Sequence, residues 1–363
     1  MVRLTRAGAD GDAPGKYRTV EALAAAHLSD ETSGAESSHR PVLARLAAEL
    51  APLAAPARSA AELHASYSEE HLALSTGLPA LDAMLDGGLF TGEVYELAGA
   101  SGTGKTQLCM AVCAQQAAAT EAGVLYVGTS RSFCAERVYQ LARTHRKSST
   151  TWRQECKDRL AAQVRVESCA RLLHVLRALE ALSDRLERQP EDKPEDEWNR
   201  RLRLLIVDSP FAAYMGEYSG LSQSSSGAQT ARLQDLLRHL ATRHALAVLV
   251  TNTCTPSTAA DTSPLAVRTS LGVGWQQMAH VRLLVADDAP AGTPGLPAAA
   301  AVAVGPEGQR RRRIHVVRSS RRVCLGDSVA IGISSSGLTA APVQANLLMQ
   351  PASAGRAAAA HPS

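Results

Sequence analysis

Eight consecutive residues, Gly99-Ala100-Ser101-Gly102-Thr103-Gly104-Lys105-Thr106, have types and spacing suited to holding an anion. A short apolar run, Val94-Tyr95-Glu96-Leu97-Ala98, leads into them, and a helix-forming run from Gln107 through Leu108, Met110, Ala111 and Val112 follows. This is G-x-x-x-x-G-K-[ST] in the strand–loop–helix setting that the pattern requires. Glycines let successive backbone N–H groups turn inward around phosphate oxygens. The new helix aims its positive end at the same anion. Lys105 has the reach for β- and γ-phosphates, and the Thr106 hydroxyl suits Mg²⁺. Against a chance glycine turn, pattern, strand and helix all agree, so the expected ligand is a nucleoside triphosphate. Further on, Leu204-Leu205-Ile206-Val207-Asp208 is a continuous apolar run ending in a carboxylate. Such a run predicts a strand buried on both faces of a parallel sheet. Asp208 at its end suits the water shell of Mg²⁺, which makes Lys105 and Asp208 the candidate catalytic pair and Thr106 and Asp208 the candidate metal residues.

The elements that must position these residues alternate in type. The chain has 363 residues, 45% of them apolar, enough for one large domain or two ordinary ones. Strands are predicted at Val124–Val127, Val164–Val166, Leu204–Asp208 and Ala247–Asn252. Helices are predicted after the glycine-rich loop and over Glu136–Thr144, Leu172–Leu186 and Ala231–His244. The leucines at 172, 173, 176, 179, 182 and 186 form a core-facing row. A further short helix around Leu81, Met84 and Leu85 ends at Gly87-Gly88, where glycine tolerates a left-handed cap. Strands at Val281–Val285, Ile314–Val317 and Ser328–Ile333, joined without helices, predict an antiparallel edge. The fold class expected is α/β with a mostly parallel central sheet.

Around this core, residues 1–70 are expected to form a partly disordered N-terminal region with helical character over Pro41–Leu63, the core to span 71–338, and 339–363 to be a low-complexity tail. Residues 286–309 are expected to be a disordered Pro/Gly/Ala insertion, and Gln189–Glu197, Ser219–Gly227 and Thr253–Thr269 to be loops.

Net charge is +3, so no global polycation effect drives binding to nucleic acid, and any basic surface must be local. Lysine occurs at only five positions, which leaves 38 − 5 = 33 arginines. Seven of them, Arg310–Arg313, Arg318, Arg321 and Arg322, fall within thirteen residues that contain no acid. Three readings stay open for this run: an exposed strand edge, contact with a DNA backbone, or, only as the family resemblance carried by other motifs implies, action in trans on a neighbouring subunit's nucleotide. Aromatic residues are 4% of the chain, too few for a stacking platform for single strands. The seven cysteines are scattered, with no C-x-x-C and no His/Cys group at zinc spacing; Cys109 and Cys113 are expected to be packed core thiols. There is no run of 18 apolar residues and no secretory leader pattern near Met1, so the expectation is a soluble protein of a reducing compartment, with no membrane partner.

The order Ser75-Thr76-Gly77, Leu81-Asp82, Gly87-Gly88, Gly92-Glu93, Glu96 and then Gly99 through Gln107 resembles the core of RecA-type recombinases of the eukaryotic Rad branch. Glu217-Tyr218-Ser219-Gly220 and Val250-Thr251-Asn252 resemble the first DNA-facing loop and the strand leading to the second. Leu271-Gly272, Gly274-Trp275 and Arg318-Ser319-Ser320-Arg321 look most like the D-type paralogue. The resemblance spans roughly residues 72–338. It implies a RecA-like ATPase core with a small N-terminal helical region, ATP and Mg²⁺ as ligands, and a nuclear role in DNA repair by homologous recombination after DNA damage. It also implies assembly with other recombinase paralogues and binding to single-stranded or branched DNA.

The family's active members place a glutamate where this chain has Ser130, in Gly128-Thr129-Ser130-Arg131, and a γ-phosphate-sensing glutamine where it has Thr253. A serine hydroxyl is no general base near neutral pH. Binding without efficient hydrolysis follows: at most a weak DNA-dependent ATPase. Two alternatives stay open at this stage, a free-standing small-molecule kinase and a scaffold that nucleotide merely stabilises.

Overall fold

A computed structural model describes residues 59–62, 71–130, 133–144, 150–188, 194–213, 223–256, 267–271, 273–288, 309–321 and 327–340. The chain divides into two units, Met1–Ala65 and Ser66–Ser363. Of the first, only a helical turn at 60–62 is described, so most of the predicted Pro41–Leu63 helix lies outside the described residues.

The second unit is built on a ten-stranded sheet. Its strands and helices are β1 (Ala73–Leu74), α1 (Pro79–Met84), β2 (Leu89–Phe90), β3 (Val94–Gly99), α2 (Lys105–Ala119), β4 (Gly123–Gly128), α3 (Ala135–Thr144), α4 (Thr150–Gln163), β5 (Val164–Ser168), α5 (Leu172–Glu187), α6 (Pro194–Arg201) and β6 (Leu202–Asp208). They continue as α7 (Gln223–His244), β7 (Ala247–Pro256), β8 (Val267–Thr269), α8 (Val273–Gln276), β9 (Val281–Asp287), β10 (Arg310–Ser319), β11 (Ser328–Ile333) and β12 (Leu338–Ala340). Strand order is β12-β11-β10-β9-β3-β7-β6-β4-β5, with β8 pairing onto β7 and β1–β2 forming a separate hairpin. The strands from β9 to β5 along this path run parallel; β10, β11 and β12 add antiparallel. The expected mixed sheet is present, with the reversal one strand later than predicted, because β9 pairs parallel with β3.

Strand alternation assigns the core to two faces. Tyr95, Leu97, Val124, Tyr126, Leu204, Ile206 and Leu249 meet the apolar sides of α1, α2 and α3. Val94, Leu125, Val127, Leu205, Val207, Val248 and Val250 meet α5 and α7. Because both faces are covered, the central strands are apolar at nearly every position. Cys109 and Cys113 are packed on the first face, where burial pushes the Cys113 thiol up to about 12.

Several expectations need correction. Gln189–Glu197 is not wholly a loop, since α6 begins at Pro194 and seats Trp198, whose indole donates to the Gln163 carbonyl (3.1 Å). The serine-rich stretch starts a helix at Gln223 rather than ending a loop at Gly227. Within Thr253–Thr269, β7 continues to Pro256 and β8 turns back onto it. The insertion is shorter than 286–309, because β9 runs through Asp287 and β10 starts at Arg310; residues 289–308 lie outside the described residues. The tail begins beyond β12, not at 339. In the leucine row, Leu173 faces solvent and Val175 takes an inward place. After α1 the positive-φ turn includes both predicted glycines, Gly87 (φ 126°) and Gly88 (φ 130°), and begins one residue earlier than expected, at Asp86 (φ 61°).

Candidate phosphate-binding site

Parallel strands present their C-terminal ends along one edge of the sheet, where α/β proteins place ligands. Here that edge gathers the sequence-predicted residues: Gly99 is level with Thr253, and Gly128 with Asp208. The loop from Gly99 joins β3 to α2, with Gly102 (φ 79°) and Gly104 (φ 99°) in the left-handed half of conformational space. Gly104 is the N-cap of α2 and offers no side-chain cap, and the first turn carries no acid. The first backbone N–H groups of a helix have no partner within it, so α2 opens as an uncapped, positively polarised end suited to an anion. A Cβ on Gly99 would meet the Val285 carbonyl oxygen at 2.5 Å and one on Gly104 the Ile333 Cδ1 at 2.3 Å, while at Gly102 nothing stands within 4 Å. The loop is therefore packed from behind and open in front.

Lys105 Nζ donates to the carbonyls of Gly99 and Ala100, both at 2.8 Å, which folds the ammonium over the loop. Burial lowers its pKa, and nearby Cys254, Asp208 and Cys109 oppose that shift. Thr103 Oγ1 donates to the Ala100 carbonyl (2.9 Å) and closes the turn. Thr106 sits in the first turn of α2, half-exposed.

Asp208 is buried at the end of β6 and held from both sides: Thr251 Oγ1 donates to Oδ1 (2.6 Å) and Tyr126 OH to Oδ2 (2.7 Å). Burial pushes the Tyr126 phenol far above its ordinary value, so it stays a donor. Thr129 is tied to the same strand end, its amide donating to the Asp208 carbonyl (2.9 Å) and its hydroxyl to that of Ser209 (2.6 Å). Ser130, next in line, is exposed.

Beneath the loop lies a buried polar cluster whose pairing no sequence pattern announced. Glu96 Oε1 accepts from Asn252 Nδ2 (2.8 Å) and Trp275 Nε1 (2.7 Å), and Oε2 accepts from Arg282 Nε (2.5 Å). Arg282 also donates to the Gln276 carbonyl (3.1 Å). The cluster locks β3, β7 and β9 together directly below the glycine-rich loop.

The arginine run is not an exposed edge, because β10 lies inside the sheet between β9 and β11. Arg312 is buried, pairs with Asp287, and donates from Nε to the Thr103 carbonyl of the loop (3.2 Å). Arg313 pairs with Asp288 (2.9 Å), and Arg318 donates to the Gln276 carbonyl (2.6 Å). Arg321 lies over the Phe90 ring and within 3.3 Å of Glu93; its Nε is an ion-pair neighbour there without hydrogen-bond geometry. Arg310 and Arg311 are exposed, and Arg322 and the stretch Glu217-Tyr218-Ser219-Gly220 lie outside the described residues. Most of the run thus braces the fold, and Arg312 buttresses the glycine-rich loop itself.

Comparison with known proteins agrees with this geometry. A family model described as Rad51 matches residues 68–286. DNA repair protein RAD51 homolog 4 of Mus musculus is 30% identical over 280 residues, which is 77% of this chain and 80% of that protein. DNA repair protein XRCC3 of Bos taurus is 28% identical over 243 residues, 63% of this chain and 68% of that protein. DNA repair protein RAD51 of Saccharomyces cerevisiae is 30% identical over 242 residues, 64% of this chain and 55% of that protein. With a RecA-like sheet, a glycine-rich loop at its C-terminal edge and matches of this extent, the chain belongs to the Rad51 family, as a eukaryotic recombinase paralogue most like the D type.

Proposed function

We propose that this chain binds ATP with Mg²⁺ and serves homologous-recombination repair in the nucleus, as a paralogue that engages single-stranded or branched DNA within a hetero-oligomer of recombinase paralogues. The observation that carries the reading is the loop Gly99–Thr106, an uncapped helix start with an open front and a half-buried lysine folded over it. Backbone N–H groups of the loop and Lys105 would hold the phosphates, with Thr106 and Asp208 as the Mg²⁺ residues. The ion, when bound, neutralises charge on the phosphate oxygens. Asp208 needs no reorientation, since Tyr126 and Thr251 already fix both of its oxygens.

The relatives' names supply the repair role, because the mouse, bovine and yeast proteins are each DNA repair proteins. Ser130 argues for slow turnover: at the place where the family's glutamate activates water, this chain offers a hydroxyl. A purified full-length chain should bind a fluorescent ATP analogue saturably and in a Mg²⁺-dependent manner, and Lys105→Ala should abolish that binding. Absence of affinity in the unaltered chain would refute the proposal. Pull-down with and without ATP, followed by identification of co-purifying chains, tests the assembly.

A further inference from the structure

Helices α5 and α7 lie side by side on one face of the sheet and run the same way, because each leads into a parallel strand. Their outer seam repeats in step. Glu180 pairs with Arg232 (3.1 Å), and seven residues on in both helices Glu187 meets His239 (3.1 Å). His244, the last residue of α7, turns in beside them with its ring centroid 5.5 Å from that of His239.

We propose that Glu187, His239 and His244 form a binding site for one divalent metal ion of zinc-like preference, which staples the C-terminal ends of α5 and α7. One ligating atom from each residue lies within 4.8 Å of the others. Two imidazole nitrogens and one carboxylate oxygen are a donor set suited to zinc. A tetrahedral ion with bonds of about 2.0–2.2 Å holds its ligand atoms roughly 3.4 Å apart. Glu187 and His239 are half-exposed, so their side chains are free to swing inward by that difference.

A second observation points the same way. His244 Nε2 is fully buried and has no hydrogen-bond partner, its nearest carboxylate oxygen, on Glu187, being 4.0 Å away. Buried polar atoms left unmatched are uncommon and call for a ligand or an ordered water. Ser183 Oγ donates to Glu187 Oε1 (3.3 Å), the kind of outer bond that orients a metal-binding carboxylate. Asp184 and Asp235 line the adjoining groove and add negative potential. Three protein donors leave a fourth position for water. The helix ends that carry the trio lead toward the N-terminal edge of the parallel strands, opposite the glycine-rich loop, so the ion ties two helices together away from the nucleotide site.

The full-length chain, stripped with a chelator and dialysed, should bind one equivalent of Co²⁺ with a visible d–d spectrum, displaced by Zn²⁺. Loss of an outer-shell partner alone costs 10–100-fold in affinity, so Glu187→Gln and His239→Gln should each weaken binding by about 100-fold or more. Both positions are exposed, so these variants fold even if His244→Gln does not. Zn²⁺ should also raise the melting temperature of the unaltered chain and not of either variant. Absence of stoichiometric binding overturns the site. So does binding that survives both substitutions, or a thiolate-to-cobalt charge-transfer band, either of which places the metal elsewhere.

Discussion

Replacing Glu96 by Gln should destabilise the core more than any other isosteric change near the site. The substitution preserves shape and keeps one oxygen for Asn252 Nδ2 and Trp275 Nε1, which share Oε1. It places an NH₂ group, or at best a neutral oxygen, where Oε2 now accepts from Arg282 Nε at 2.5 Å. Arg282 is only 9% exposed and Glu96 0% exposed, so the guanidinium is left buried without its counterion. Removing one member of a buried pair costs about 3–5 kcal/mol. Net stabilities of domains are only about 5–15 kcal/mol. Urea unfolding followed by tryptophan fluorescence should show the midpoint falling by a large fraction with an unchanged slope. The double variant Glu96→Gln/Arg282→Met should recover part of the loss, because removing the arginine as well leaves no buried charge without a counterion. A loss below about 1 kcal/mol in the single variant, or a double variant worse than the sum of its singles, would refute the reasoning.

Other consequences follow from the same geometry. Gly104→Ala should impair ATP binding through left-handed strain of about 1–2 kcal/mol as well as contact with Ile333, so adding Ile333→Ala should restore binding only in part when measured by analogue fluorescence. Ser130→Glu should raise phosphate release in the presence of DNA and partner chains; unchanged turnover would place the defect elsewhere. Burial favours the neutral form of the Lys105 amine, so its ammonium is lost at lower pH than that of an ordinary lysine. Since the phosphates favour the charged form, affinity for ATP should decline as pH rises through the alkaline range below 10.5, measurable by titration at stepped pH.

The parts legible in sequence were those whose cause is local. The candidate phosphate loop is legible because turn, helix start and lysine are contiguous. β3, β4, β6 and β7 are legible because double-sided burial gives each a continuous apolar run, broken by polar residues mainly toward the strand ends that face the site. Elements held by distant partners were not. α6 is charged along most of its length and is anchored by Trp198, a single residue no periodicity singles out. β8 and β12 have three residues each, too short for any pattern. The arginine run looked like surface because its acids, Glu93, Asp287 and Asp288, arrive from other elements. Glu96 and Arg282 are separated by 186 positions, and Glu187 and His239 by 52, so neither cluster has a spacing to recognise.

The way Asp208 is held bears on the proposed retention of a nucleotide. Its carboxylate carries a tether from β4 through Tyr126 and another from β7 through Thr251, so three neighbouring strands set one orientation. Hydrogen bonds to a charged group are worth about 1.5–3 kcal/mol each, and such pre-set polar groups spare reorganisation when charge arrives. Tyr126→Phe and Thr251→Val each remove one tether while keeping packing volume. Either alone leaves the other to hold the carboxylate, so Mg²⁺-dependent ATP affinity should fall by about tenfold, the equivalent of about 1.4 kcal/mol. With both removed the carboxylate is free to rotate, and the loss should exceed the product of the two singles, the signature of sites that share a partner. Calorimetric titration with and without Mg²⁺ reads this directly. Strictly multiplicative losses would mean that the tethers act on stability alone and that the orientation of Asp208 does not govern retention of the nucleotide.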